Sequence, residues 1–142
     1  MPFTINQNEF IQEQIARLPN YYSTNRIKLI GFENTENFQN WYLEKLNNNE
    51  CKCHYCKTSI LDIRRLINEQ IISTRAVRGD GSRGPNLEID RMDPFGEYNE
   101  NNCVLSCYYC NNDKSNTFGY DIYLNVFGPA RNNAWRILID RL

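Results

Sequence analysis

Apolar residues recur at helical spacing over the first half of the chain and at strand spacing further on. Ile11, Ile15 and Leu18 fall on one face, and Asn6 with Glu9 has capping-box spacing. Together they predict a helix from Asn6 to Leu18 that Pro19 ends. Residues 21–31 carry no clear period. Phe38, Trp41 and Tyr42 predict a second helix over Thr35 to Leu46, closed by the polar run 47–49. Ser59 is placed to cap a third helix, Ile60 to Glu69. Ile71 to Val77 suits a strand, and Gly79, Gly81, Gly84 and Pro85 mark the loop after it. Leu87 to Arg91 alternates apolar with charged, as a half-buried strand does. Cys103 to Ser106 reads as another short strand, and Cys107 to Asn116 opens a helix. Pro129 suits the first position of a last helix whose Trp135, Leu138, Ile139 and Leu142 share a face that serves the core or a dimer contact. Helices flanking a few short strands make an α+β chain without internal repeats.

The 142 residues suffice for one domain with a modest core, and a 41% hydrophobic content excludes a disordered tail. No apolar run is long enough to cross a bilayer. The start, MPFTINQNEF, lacks the basic and apolar regions of a secretion signal, which predicts a cytoplasmic protein with reduced cysteines. Net charge is −1, but its distribution matters more than its total. Residues 52–92 are net positive between two net negative segments, and much of that charge flanks Asp90. A local basic face of this kind suits contact with phosphate.

Cysteine pairs in a reducing compartment more often bind metal than form disulfides. Cys53 and Cys56 form one C-x-x-C, and Cys107 and Cys110 form another. Each such turn presents two sulfurs at about the separation a tetrahedral Zn²⁺ takes, and four thiolates leave no open position, so the zinc is structural. Cys51 precedes the first pair and is an alternative to Cys53 as ligand, whereas Cys103 reads as a buried strand residue. His54, the sole histidine, sits inside the first knuckle.

The run D-R…N-x-V-L-x-C-x-x-C-N-x-x-K, from Asp90 to Lys114, resembles the HNH, or ββα-metal, endonucleases. The resemblance implies a zinc-bound ββα core with flanking helices, in a single domain that acts as a homodimer. It divides the chain into a helical segment, 1–50, supplying dimer or DNA contacts, and a nuclease core with its C-terminal helices, 51–142. It makes Asp90 and Asn111 the ligands of a catalytic Mg²⁺ and Asn102 the residue that opens the second strand. It turns Lys114 toward the phosphate. Mg²⁺ takes oxygen ligands and keeps several waters, so one carboxylate and one amide carbonyl suffice when a phosphate completes the shell.

The family's histidine after the acidic ligand is replaced by Arg91. Arginine cannot take a proton from water near neutral pH; it would clamp a phosphate oxygen and stabilise the transition state. Tyr55 and His54 are then the first candidates to activate water, with Tyr98, Tyr108 and Tyr109 behind them. F-x-x-W-Y-L (Phe38 to Leu43), C-x-Y-C (Cys53 to Cys56), I-D-R-x-D (Ile89 to Asp93) and C-N-x-x-K-S-N-x-F (Cys110 to Phe118) are similar to zinc-bearing, homodimeric restriction enzymes within the family. Those enzymes place a tyrosine near the scissile phosphate, which favours Tyr55. They also carry a further Cys₄ site near the N-terminus, and no cysteine precedes Cys51 here.

The expected activity is therefore Mg²⁺-dependent, sequence-specific cleavage of double-stranded DNA, with Arg75, Arg78 and Arg83 reading bases. A nicking or homing HNH nuclease, or an inactive zinc-dependent DNA-binding module, stands as the alternative.

Overall fold

The computed structural model describes residues 2–77 and 81–142. Helix α1 (Gln7–Asn25) is capped by Asn6, whose Oδ1 accepts from Glu9 N at 3.0 Å. Its buried residues are Phe10, Gln14 and Leu18, so the inward face is rotated from the Ile11/Ile15 stripe. Pro19 does not end it; the helix continues two more turns. Tertiary packing accounts for that continuation. Tyr21 and Tyr22 lie 5.9 and 5.4 Å from the Phe38 ring on α2 (Thr35–Asn48), which buries Phe38, Trp41, Tyr42 and Leu46. Ser59 caps α3 (Ile60–Asn68) by accepting from Leu61 N.

The predicted strand over Ile71 to Val77 shrinks to β1 (Arg75–Ala76), which pairs with β2 (Ser82–Arg83) in a minimal hairpin. Among the described residues neither strand joins the other sheet, and one further bond, Val77 N to Gly81 O, continues the pairing. β3 (Leu87–Arg91) and β4 (Cys103–Cys107) form the antiparallel ribbon, in register from Leu87 opposite Cys107 to Arg91 opposite Cys103. All five β4 residues are buried, since α2 and α4 (Tyr108–Lys114) both pack on this strand.

The last helical region begins before Pro129. α5 (Tyr120–Ile122) runs through a π turn (Tyr123–Phe127) into α6 (Gly128–Ile139). Gly128 permits this path, because a Cβ there would lie 2.3 Å from the Tyr55 carbonyl oxygen. Trp135 is buried on α6 and Leu138 and Ile139 are half-buried, whereas Leu142 lies beyond the helix and is exposed.

One continuous apolar core joins α1, α2, α3, the ribbon and the C-terminal helices in a small mixed α+β domain. Polar ties cross it: Tyr42 OH donates to Leu87 O at 2.7 Å, and Gln14 Nε2 donates to Asn86 Oδ1 at 2.9 Å. Among the described residues, no helix is long and apolar enough to cross a membrane.

Candidate active site

The two C-x-x-C turns meet. The sulfurs of Cys53, Cys56, Cys107 and Cys110 all lie within 4.8 Å of one another, and all four residues are buried. Sulfurs around a tetrahedral Zn²⁺ at Zn–S ~2.3 Å stand about 3.8 Å apart, so the cluster could hold a metal such as zinc. Cys51 is outside it, and so is Cys103, whose thiol burial pushes up to about 11. The four thiols titrate together: hydrogen bonds from Cys107, Cys110 and Cys53 pull Cys56 downward, while Cys107 and Cys110 are pushed up. The cluster joins positions 51 residues apart in the chain. Two local features hold it. His54 N donates to Leu105 O, which seats the first knuckle on β4, and Cys107 caps α4 by accepting from Cys110 N.

Strand alternation sends Glu88 and Asp90 to the same side of β3, toward α4. Asn111 and Lys114, one turn apart on α4, face them. Lys114 Nζ is 3.3 Å from Asp90 Oδ2 and donates to Arg91 O at 3.1 Å. Lys114 is only 1% exposed, so it lies under the carboxylate and is not turned outward to a phosphate. Tyr55 OH donates to the same Asp90 oxygen. Burial raises the Asp90 carboxyl, while the Tyr55 hydrogen bond and Lys114 hold it down. The Tyr55 phenol is pushed far up, first by burial and then by the Asp90 charge. Tyr55 thus donates to the carboxylate.

His54 turns the other way. Its Nε2 is 2.8 Å from Tyr120 OH, and its ring stacks on Tyr120. Burial, helped by Lys57 and Lys45, lowers it to about 4, which leaves it neutral at pH 7. Of the two knuckle residues, Tyr55 is the one that touches Asp90.

Asn102 is spent on the β3–β4 loop. Its Oδ1 accepts from Asp93 N, and its Nδ2 donates to Asp93 O and Glu97 O, each at 3.0 Å. Arg91 donates to Gly96 O at 3.1 Å and lies over the Tyr98 ring. Arg83, expected to read bases, is bound within the protein: both ends of its guanidinium hold Glu88, at 2.6 and 2.9 Å, and it stacks over Tyr108. Arg75 is exposed on β1, and Arg78 lies outside the described residues.

Glu88 escaped the reading of the sequence, although its place two residues before Asp90 already set the two carboxylates on one side of the strand. Asn111 Nδ2 donates to Glu88 Oε1 at 3.0 Å.

Arg83, Glu88, Asp90, Arg91 and Asn111 line a cleft of about 1030 Å³ between α1, the hairpin, β3 and the end of α4. Arg17, Lys28, Arg83 and Arg91 outnumber Glu88 and Asp90 in its wall. Lys28 is lowered by burial and by the repulsion of Arg83 and Arg91, a sign that cations crowd there. Asp90 Oδ1 and Asn111 Oδ1 make no hydrogen bond among the described residues, whereas Asp90 Oδ2 and Asn111 Nδ2 are engaged.

Among solved structures, the rare-cutting HNH restriction endonuclease PacI superposes with a TM-score of 0.64 at 26% identity, over 90% of this chain and 80% of that one. The chain resembles PacI. No protein-family profile and no curated protein sequence matches it.

Proposed function

We propose that the chain is a Mg²⁺-dependent, sequence-specific endonuclease that cuts double-stranded DNA in the manner of a restriction enzyme, with a structural Zn²⁺ in its thiol cluster. One observation carries the reading. A carboxylate and an amide with unused oxygens line a cation-rich cleft, on a strand–helix unit pinned by four thiols, in a fold shared with an HNH restriction endonuclease.

The donor sets fit the two metals differently. Four buried thiols suit Zn²⁺, and the free oxygens of Asp90 and Asn111 suit a hard cation that keeps water and a phosphate oxygen in its shell. Mg²⁺, when bound there, would polarise the scissile phosphate and stabilise the leaving 3′ oxygen. The chain's own residues do the rest. Asp90 is paired with Lys114 and oriented by Tyr55. Arg91, on the cleft wall and anchored by one nitrogen, is placed to hold a phosphate oxygen with the others. Arg17 and Lys28 extend the positive surface along which a DNA backbone would run. Asn102 keeps the β3–β4 loop and Arg91 in place.

Cutting both strands of a palindrome calls for two active sites related by a two-fold axis, so the chain acts as a homodimer on cytoplasmic DNA. The test is incubation of a plasmid with Mg²⁺ or EDTA, followed by sequencing of the ends. Discrete linear fragments only with Mg²⁺ support the restriction reading; nicked circles alone support the nicking or homing alternative. Arg91 in place of the family histidine favours a second reading, a DNA-binding module without activity. A gel shift with no cleavage at any Mg²⁺ concentration decides for it.

A further inference from the structure

We infer that Glu88 is a positioning residue of the metal site, which fixes the Asn111 amide so that its carbonyl oxygen faces the cleft. This rests on the proposed nuclease reading and deepens it. Asn111 Nδ2 donates to Glu88 Oε1 at 3.0 Å, and an amide whose nitrogen is held on one side presents its oxygen on the other. That oxygen makes no other hydrogen bond among the described residues, and Asn111 lines the cleft with Asp90.

Glu88 is itself held. Arg83 grips both of its carboxylate oxygens, at 2.6 and 2.9 Å, and the Arg83 guanidinium rests over the Tyr108 ring at 4.6 Å from its centroid. The chain of contacts therefore runs Tyr108, Arg83, Glu88, Asn111, and it starts on the helix that carries Asn111. A side-chain amide has two orientations of similar shape, and an acceptor held in place beside it favours the one that turns the nitrogen toward that acceptor. Partners that orient metal ligands are worth roughly 10–100-fold in metal affinity. Among the described residues Glu88 makes no hydrogen bond to Tyr55 or Lys114. Tyr55 and Lys114 orient that ligand separately, so each ligand has its own support.

The experiment measures Mn²⁺ binding by electron paramagnetic resonance on zinc-loaded protein, alongside cleavage, in wild type, Glu88→Ala, Glu88→Gln, Asn111→Ala and the double variant Glu88→Ala/Asn111→Ala. Asp90→Ala identifies which Mn²⁺ belongs to the cleft. Glu88→Ala should weaken cleft binding by about tenfold with the thermal midpoint little changed, as loss of a ligand's support does. Glu88→Gln, which removes the charge but keeps an acceptor oxygen, should restore most of it. The double variant should bind no more weakly than Asn111→Ala, because an orienting group has nothing to orient once the amide is gone.

Equal losses from Glu88→Ala with and without Asn111 would show that Glu88 acts by charge or as a ligand, and overturn the inference. So would Glu88→Gln as weak as Glu88→Ala, or Glu88→Ala indistinguishable from wild type. Those outcomes leave the nuclease reading intact if wild type binds Mn²⁺ through Asp90 and cuts. Wild-type protein that binds no Mn²⁺ there and never cuts overturns both.

Discussion

Two clusters share helix α4, and they are built on opposite plans. The thiol cluster is closed: four identical groups, all buried, directed at one another. The cleft cluster is mixed and incomplete: a carboxylate, an amide, a second carboxylate and cations, with two oxygens left over. Cys110 belongs to the first and Asn111, its neighbour, to the second. Saturated coordination stores stability, and unsaturated coordination leaves room for a substrate. The fold secures the second kind of site by resting it on the first.

The largest effect that should separate the clusters is on folding. Cys107→Ala, or stripping the metal with a strong chelator, should abolish the cooperative thermal transition seen by circular dichroism, since structural Zn²⁺ carries an apparent ~10–16 kcal/mol. A chelated protein that keeps a sharp transition would mean that the thiols are only a packed core.

Asp90→Asn should act on both clusters' terms. It removes the carboxylate proposed to hold Mg²⁺, which should lower cleavage by about 10²–10³-fold, the scale of a lost transition-state contact. It also leaves the buried Lys114 ammonium unpaired, which should cost roughly 3–5 kcal/mol in urea denaturation. Adding Lys114→Met should recover much of the stability and none of the cleavage. If it recovers neither, the ion pair is not what holds Asp90.

Tyr55→Phe removes one hydrogen bond to a charged group, worth about 1.5–3 kcal/mol. Cleavage should fall accordingly, whereas His54→Ala, which contacts Tyr120 and not Asp90, should cut at the wild-type rate. The reverse order would move the chemistry to the histidine.

The smallest effect is one of pH. The folded protein lowers His54 to about 4 from 6.5, mainly by burial. It therefore favours the neutral ring. That contribution is complete above pH 6.5 and is lost as pH falls through about 4. Between pH 7.5 and 5, wild type should lose more stability to urea than His54→Asn; equal losses would show a ring already free to charge.

The thiol cluster was legible because its signal is local and doubled: two C-x-x-C turns have few other uses. The resemblance set Asp90 at the end of a strand and Asn111 on the helix after the next strand, and both lie there, in the wall of one cleft. Their supports were not legible. Lys114 shares a helix face with Asn111, which suggests a common partner, but its burial beneath Asp90 depends on how closely α4 sits on the ribbon. Arg83 looked free because nothing in the chain order says that it will fold back on Glu88, five residues on. Pro19 misled for a related reason: its local cost was overruled by the aromatic contacts of Tyr21 and Tyr22 with Phe38, which lie on a different helix. The hairpin failed as a long strand because β propensity has no effect without a neighbour to pair with.

Under the proposed function, the adjacency of Cys110 and Asn111 also has a bearing on when the protein becomes dangerous to its host. If the thiols hold a structural zinc, a freshly synthesised chain that has not yet acquired it would lack the anchor of α4, and with it the fixed position of Asn111. Toxicity would then begin with delivery of the transition metal and not with translation, which gives a cell an interval in which to protect its own chromosome.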